Sequence, residues 1–356
     1  MGKQPSPNHE MEEGPVPYDN KLIVIGASSG GFETLKKIIH ALPVDFNPPI
    51  FIVWHMSTEG TGILPMVLNR ENKIPASHAY DKEPIQPNHI YVAPPDYHLL
   101  IEDGMVRTTR GPKENRFRPA IDPLFRSAAY SHTGHVIGII LSGALDDGTA
   151  GLWAVKSYGG TAVVQDPRDA EVASMPQSAL REVNVDYCVP ASEIADLLVR
   201  LAKEPVKTSA IMEDRKIKKE IDIAAGKPAM EKGDLPFGEL TPYTCPECHG
   251  VLSRIHDDKL VRYRCHTGHA YSTDTLMADI SEKIETSLYN AMRGIDESVI
   301  LLNHIGDHYA ESNEPKLAAL YFKKAKEASD RSQLVRKAVI RNEQLSKSKL
   351  EHQSKI

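Results

Sequence analysis

The sequence predicts an α/β fold in which a doubly wound, mostly parallel sheet occupies residues 20–205. Apolar runs typical of buried strands alternate with helical segments, and this alternation indicates parallel strands with helices on both faces. The runs are Leu22–Ile25, Ile50–Trp54, His89–Ala93, Val136–Leu141 and Thr161–Val164. The predicted helices are Phe32–Leu42, Gly60–Asn69, Ile121–His132, Thr149–Tyr158, Met175–Val183 and Ala191–Lys203.

The composition is that of an ordinary globular protein, with 41% hydrophobic and 25% charged residues. A net charge of −6 provides no general attraction to nucleic acid, so no nucleic-acid partner is expected. The chain contains no apolar run long enough for a transmembrane helix, and its polar N-terminus does not fit a secretory signal. We therefore expect a cytoplasmic protein without direct membrane insertion.

Changes in composition divide the chain into five parts. Residues 1–19 are Pro-rich and acidic, which predicts a disordered tail before the α/β domain. Residues 206–240 mix charge, Gly and Pro and indicate a linker with a short helix near 213–225. Residues 241–275 contain three of the four cysteines, and residues 276–356 are predicted to be helical, with a break at Asn313–Pro315.

The first apolar run leads through the turn Gly26–Gly31 into the first helix. A strand, a small-residue turn and a helix can present a serine at the carboxyl edge of a sheet, close to backbone N–H groups. The glycine spacing does not fit the dinucleotide fingerprint, and the turn lacks the lysine of a P-loop. A nucleophilic serine, a phosphate-binding turn and a purely structural turn all stay open at this point.

Two further polar positions follow apolar runs. His55 ends the second run, and Asp146 and Asp147 follow the fourth. Because the carboxyl ends of parallel strands share one edge, a serine, a histidine base and an orienting aspartate are expected to meet there. A loop histidine and an aspartate that only caps a helix are the structural alternatives.

Five ordered motifs resemble those of the chemotaxis protein-glutamate methylesterases, the CheB family, over residues 21–201. They are GASSGG, the strand that ends in His55-Met56, YVAPPDYHLLI, NRFRPAIDPLF and LSGALDDGTAG. The resemblance implies a Rossmann-like methylesterase domain that hydrolyses glutamate methyl esters on chemoreceptors and also deamidates glutamine there. It identifies Ser28 as the nucleophile, His55 as the base and Asp147 as the orienting carboxylate, with no catalytic cofactor.

The implied mechanism is acyl transfer through a Ser28 acyl-enzyme, with methanol as the leaving group. The oxyanion is expected to bind backbone N–H groups near Ser29–Gly30 or Ala144–Leu145. Three residues are candidates for holding an acidic substrate segment: Asn115, Arg116 and Arg118. The alternative is that these arginines only anchor the turn at Pro119.

The sequence departs from the family pattern in two places. Trp54 stands where the family has Gln, and Ala144 stands where it often has Met, which leaves the details of substrate positioning open. The typical member also begins with a phospho-accepting receiver domain, whereas some twenty residues precede this domain. Control by a receiver within the chain is therefore not expected, although a role in phosphorelay signalling is.

Cys245, Cys248, Cys265 and His269 have the spacing of a zinc ribbon. In a reducing compartment, clustered cysteines bind metal more often than they form disulfides. Four protein ligands leave no open position, so we expect a structural zinc, with His266 as the alternative fourth ligand. The sequence alone predicts that chelation unfolds residues 241–275 without abolishing esterase activity.

The expected partner is a methylated chemoreceptor or a similar signalling protein. The helical segment 276–356 is expected to pack on itself or to dimerise, and docking of a receptor, a methyltransferase or a signalling kinase is the alternative. A different class of function stays open: a regulatory protein that keeps the fold and binds its target with little turnover. A nucleotide-binding scaffold that uses the Gly26–Gly31 turn is a further alternative.

Overall fold

The computed structural model describes residues 20–55, 62–71, 74–206, 214–229, 238–342 and 350, so the predicted tail 1–19 lies outside the described residues. The elements of the first part of the chain are β1 (Leu22–Ala27), α1 (Gly31–Ala41), β2 (Ile50–Trp54), α2 (Leu64–Glu71), β3 (Ala76–His78), β4 (Ile90–Val92), β5 (His98–Glu102), β6 (Met105–Thr109), α3 (Ile121–Ser131), β7 (Val136–Ile140), α4 (Thr149–Ser157), β8 (Thr161–Gln165), α5 (Ser174–Glu182), β9 (Tyr187–Val189) and α6 (Ala191–Lys203). They are followed by α7 (Arg215–Ala224), β10 (Glu239–Thr244), β11 (Val251–Asp257), β12 (Leu260–Cys265), β13 (Ala270–Ser272), α8 (Thr273–Glu311) and α9 (Pro315–Arg341).

The central sheet has seven strands in the order β3-β4-β2-β1-β7-β8-β9, and all of its ladders are parallel. The predicted doubly wound α/β class is therefore confirmed. β1 lies at the centre, between β2 and β7, and all its side chains are buried. The carboxyl ends of these three neighbouring strands meet at one edge of the sheet.

Alternate residues of β1 belong to two hydrophobic cores. Leu22 and Val24 lie on the face covered by α3, α4 and α5, and Ile23 and Ile25 lie on the face covered by α1 and α6. Because both faces are covered, the strand consists of apolar residues throughout instead of alternating with polar ones.

The edge strands β3 and β9 and the antiparallel hairpin β5–β6 were not predicted from the sequence. β3 and β9 have three residues each, too few to show a periodicity. The hairpin lies between β4 and α3, and its turn is Asp103-Gly104, a dipeptide typical of two-residue hairpin turns that the prediction from the sequence did not use.

Strands β10–β13 form a separate four-stranded antiparallel sheet, which we call the Cys–His module together with its turns. It belongs to the same compact unit as the α/β domain, residues 1–272, while residues 273–356 form a second unit. α7 lies within the predicted linker, and Ile217 and Ile221 on its apolar face join the core around α3. Because charged residues stand between the apolar ones in this segment, the sequence pattern did not indicate a buried face.

Five buried charged side chains connect the α/β domain to the module, and we call them the buried ionic cluster. They are Glu114, Arg126, Glu220, Arg262 and Arg264. Glu114 accepts hydrogen bonds from Arg126 at 2.8 Å and from Arg264 at 3.0 Å. Glu220 accepts two from Arg262, at 2.7 and 2.9 Å. Each carboxylate thus has partners from distant parts of the chain, as a buried charge requires.

In the second unit, α8 and α9 pack against each other as a helical hairpin, with Ser332 bonded to Asp296 at 2.5 Å. The turn between the helices lies at the predicted break. Among the described helices, none is both long enough and apolar enough to cross a membrane.

Acidification is expected to destabilise the first unit. Burial opposes ionisation of Glu114, but the charges of Arg126 and Arg264 outweigh it and lower its pKa from 4.5 to about 2. A lowered pKa means that the stabilisation is complete above pH 4.5 and is lost as the pH falls toward 2. At about 1.4 kcal/mol per pKa unit, protonation of Glu114 alone is expected to lower the free energy of unfolding by up to about 3 kcal/mol.

Urea unfolding between about pH 6 and pH 2 measures this loss. Repeating it in high salt provides the control, because salt screens exposed ion pairs much more than buried ones. A free energy of unfolding that stays constant across this range, or a loss that disappears in salt, would contradict the role of the cluster.

Candidate functional site

The three residues predicted to carry the chemistry come together at the carboxyl edge of β2, β1 and β7. Ser28 follows β1 directly, and His55 follows β2 with its backbone N–H bonded to the Ala27 carbonyl at 3.0 Å. Asp147 lies in the loop between β7 and α4, on the other side of β1. Parallel pairing of the central strand with both neighbours is what brings these three loops together.

Their side chains form a continuous hydrogen-bonded chain. Ser28 Oγ lies 3.2 Å from His55 Nδ1, and His55 Nε2 lies 2.8 Å from Asp147 Oδ2. All three residues are buried, and Asp147 is only 1% exposed. A carboxylate at Nε2 favours the tautomer that carries its proton there, so that Nδ1 can accept the proton of a serine hydroxyl.

The Asp147 carboxylate accepts four further hydrogen bonds. The donors are the backbone N–H groups of Ile121 at 2.7 Å, Asp122 at 3.4 Å and Gly148 at 3.0 Å, and the Asn115 amide at 2.7 Å. Ile121 is the first residue of α3, so the carboxylate lies at a helix N-terminus, where the dipole favours negative charge. These donors compensate for burial of the charge and orient it toward His55.

A second buried carboxylate lies beside it. Asp122 accepts a hydrogen bond from the same Asn115 amide nitrogen, at 2.7 Å, and from the Gly151 N–H at 2.6 Å. Burial, followed by the charge of Asp147, raises the pKa of Asp122 to about 7. Near neutral pH the two carboxylates therefore carry less than two full charges.

Two aromatic residues that the sequence analysis assigned no role contact the site. Phe117 stacks on the His55 imidazole with ring centroids 3.8 Å apart and an interplanar angle of 13°. Trp54 donates from Nε1 to the Ser28 carbonyl at 3.2 Å and packs against Phe32. Phe117 belongs to the motif NRFRP, but its distance from His55 in the chain gave no sign of the contact.

The backbone groups predicted to bind an oxyanion lie in two neighbouring turns. Ser29 and Gly30 precede α1, where the first N–H groups of a helix have no partner within it. Ala144 and Leu145 lie in the loop after β7, with Ala144 exposed and Leu145 in a left-handed conformation, φ 62°. Ser142 joins the two turns, because its hydroxyl donates to the Ser29 carbonyl at 2.8 Å.

The three predicted substrate-holding residues have different surroundings. The Asn115 side chain points to Asp147 and Asp122, as described above. Arg118 donates twice to Asp96, at 2.9 and 2.7 Å, and to the Gly111 carbonyl at 2.9 Å. This pairing favours the alternative that Arg118 anchors its loop. Arg116 is half-buried with a φ of 77°.

The predicted metal ligands converge in the Cys–His module. Ligand atoms of Cys245, Cys248, Cys265 and His269 all lie within 4.8 Å of one another, and all the cysteines are free. Cys248 Sγ and Cys265 Sγ are 3.6 Å apart, and His269 Nδ1 is 3.6 Å from Cys265 Sγ. In a tetrahedral zinc site with Zn–S bonds of about 2.3 Å, sulfur atoms lie about 3.8 Å apart. The donor set and its dimensions therefore fit a zinc ion.

Comparison with known proteins agrees with the geometry of the α/β domain. The CheB methylesterase family profile matches residues 23–198. A Leptospira interrogans protein named putative protein-glutamate methylesterase/protein-glutamine glutaminase is 44% identical over 182 residues, which cover 51% of this chain and 94% of that protein. A Thermotoga maritima protein named protein-glutamate methylesterase/protein-glutamine glutaminase is 37% identical over 185 residues, or 51% of this chain and 54% of that protein.

The crystal structure of the Thermotoga maritima CheB methylesterase catalytic domain is 37% identical, with a TM-score of 0.49, and the match covers 51% of this chain and 98% of that domain. The profile match lies in the α/β domain, and the relative from Leptospira interrogans is covered over nearly its whole length. The chain therefore belongs to the CheB methylesterase family.

Proposed function

We propose that this chain is a protein-glutamate methylesterase that hydrolyses glutamate methyl esters on a chemoreceptor or a related signalling protein and also deamidates glutamine there. The hydrogen-bonded chain from Ser28 through His55 to Asp147 carries the proposal, because it places a nucleophile, a base and an orienting carboxylate in sequence. The names of the family relatives support the substrate class. The role belongs to phosphorelay signalling of the chemotaxis type.

In this mechanism, His55 Nδ1 takes the proton of Ser28 as its Oγ attacks the ester carbonyl. The tetrahedral intermediate collapses, His55 gives the proton to the departing methanol, and an acyl-enzyme remains. Water then attacks the acyl-enzyme with His55 as base, and the bond to Ser28 Oγ breaks as His55 returns the proton to it, which releases the glutamate side chain. For a glutamine side chain the same steps release ammonia. Asp147 stabilises the imidazolium that forms in each step.

Backbone N–H groups near Ser29–Gly30 or Ala144–Leu145 are the proposed donors to the oxyanion, since both turns adjoin Ser28. Arg116 is the remaining candidate to bind an acidic segment of the partner.

Four free cysteines fit a reducing compartment, which supports a cytoplasmic location. A methyltransferase or a signalling kinase of the same pathway remains a proposed partner of the helical segment.

We further infer that the Cys–His module binds one structural zinc ion through Cys245, Cys248, Cys265 and His269. The spacing of the ligand atoms supports this inference, and four protein ligands leave no position open for substrate. The ion would supply folding energy to a small antiparallel sheet and no chemistry to the ester.

The first test is methanol release from a methylated receptor fragment. Ser28→Ala is expected to lower the rate at least about a thousandfold, because the nucleophile is lost while the fold is kept. Circular dichroism and the melting temperature show whether the variant is folded. Wild-type protein that binds the fragment but releases no methanol would contradict the enzyme and favour the regulatory binding protein.

The second test concerns the ring that supports the base. Phe117→Ala is expected to lower kcat for p-nitrophenyl acetate by about three- to tenfold, since stacking contributes roughly 0.5–1.5 kcal/mol. Phe117→Tyr keeps the aromatic ring and is expected to keep the rate. Equal rates for the Ala variant and the wild type would show that the stacking does not orient His55.

The third test is metal analysis of the purified protein, which is expected to find about one zinc ion per chain. Cys248→Ser removes one thiolate ligand and is expected to lower both the zinc content and the melting temperature. Cys188→Ser is the matched control, because Cys188 is an exposed thiol outside the cluster. Equal zinc content in the two variants would refute this site.

A further inference from the structure

The last strand of the Cys–His module pairs with the segment 113–117, which belongs to the α/β domain. The Ala270 N–H donates to the Lys113 carbonyl at 3.2 Å, and the Asn115 N–H donates to the Ala270 carbonyl at 2.8 Å. Glu114 and Ala270 form a parallel β-bridge. The segment 113–117 therefore extends the edge of the module's sheet, and its backbone position depends on β13.

The Asn115 side chain has one end on the module and the other on the catalytic site. Its Oδ1 accepts a hydrogen bond from the Ser272 N–H at 2.9 Å, and its Nδ2 donates to Asp147 at 2.7 Å. Asn115 is 3% exposed and has a φ of 50°, a conformation that few residue types tolerate. The bond from Ser272 orients the amide so that its nitrogen faces the carboxylate.

Ser272 makes a second contact close to Asp147, with the residue that precedes it in the chain. Its hydroxyl donates to the Asp146 carboxylate at 2.6 Å. One residue of β13 thus contacts both the residue that precedes Asp147 in the chain and the amide that donates to Asp147. β13 itself begins directly after His269, one of the proposed metal ligands.

We propose that Ser272 and Asn115 are positioning residues through which the Cys–His module holds Asp147 in its catalytic orientation, so that esterase activity depends on the folded module. The proposal rests on the proposed methylesterase function. Asp147 orients His55, so a small displacement of the carboxylate lowers the rate of proton transfer. The effect falls on kcat, because neither residue needs to touch the ester.

This proposal changes the expectation drawn from the sequence alone, that removal of metal leaves activity intact. The contacts favour the opposite outcome, because Cys265 and His269 flank the turn that leads into β13. Without the metal, the four ligands no longer hold this turn in place, so β13 is expected to become mobile. The two hydrogen bonds that join Asn115 to Ala270 and Ser272, and the one from Ser272 to Asp146, are then weakened.

The side-chain test uses the full chain with p-nitrophenyl acetate and with a methylated receptor fragment. Ser272→Ala, which keeps the backbone bond to Asn115, is expected to lower kcat about three- to tenfold with KM unchanged. Asn115→Gly, which suits the positive φ, is expected to lower kcat about a hundredfold. Ser272→Thr keeps the hydroxyl and is expected to have the wild-type kcat.

Lys113→Gln is the matched control. The Lys113 side chain pairs with Glu247 at 2.9 Å, across the same interface, but has no connection to Asp147. This variant is expected to keep wild-type kcat. If Ser272→Ala and Lys113→Gln have the same kcat, or if Ser272→Thr has a kcat as low as that of Ser272→Ala, the positioning role is wrong.

The second test removes the metal with a chelator and follows three quantities: zinc content, hydrogen exchange and kcat. Exchange at the amides of Asn115 and Ser272 is expected to speed up as zinc is lost, together with a fall in kcat, and added Zn²⁺ restores both. Fast exchange with unchanged kcat would overturn the proposal.

Failure of this inference is distinguishable from failure of the proposed function. Labelling of Ser28 by a fluorophosphonate reports the nucleophile in every variant without any protein substrate. Wild-type protein that neither becomes labelled nor turns over the ester would contradict the methylesterase itself. Labelling of wild type and of Ser272→Ala at equal rates would contradict only the positioning role.

Discussion

The buried carboxylate of Asp147 is the acceptor on which the rest of the site depends. A charge that is only 1% exposed is tolerated in a protein interior when hydrogen-bond donors surround it. Here the donors come from the start of α3, from Gly148, from Asn115 and from His55. Satisfying this single anion therefore requires the loop before α3, the loop after β7 and the end of β2 to adopt one arrangement.

The buried ionic cluster imposes a second constraint, on the other side of the segment 113–117. Removing such charges from water is costly, and each carboxylate recovers that cost only when its arginines are correctly placed. Glu114 is adjacent to Asn115, and its partner Arg264 is adjacent to the proposed metal ligand Cys265. The cluster therefore specifies how the module sits on the α/β domain, whether or not it adds net stability.

The sequence predicted the parts of this structure that depend on local pattern. Five apolar runs predicted the central strands, and their carboxyl ends indicated where Ser28 and His55 lie. Family motifs were needed to choose Asp147 over Asp146. The contact between Asn115 and Ser272 joins residues 157 positions apart, and a local periodicity or spacing cannot predict a contact over that distance in the chain. The buried face of α7 was hidden for a similar reason, since its charged residues pair with partners far along the chain.

The link between the module and the catalytic site runs mainly through main-chain groups. Ala270 contributes its N–H and its carbonyl, and Ser272 contributes its N–H in addition to its hydroxyl. Main-chain donors and acceptors are present in any residue except proline, so most side-chain changes in β13 leave these bonds in place. Loss of the strand itself removes all of them together. The site is therefore expected to be much more sensitive to whether the module is folded than to the identity of its surface residues, and the zinc ion proposed above would supply folding energy to a sheet of this size.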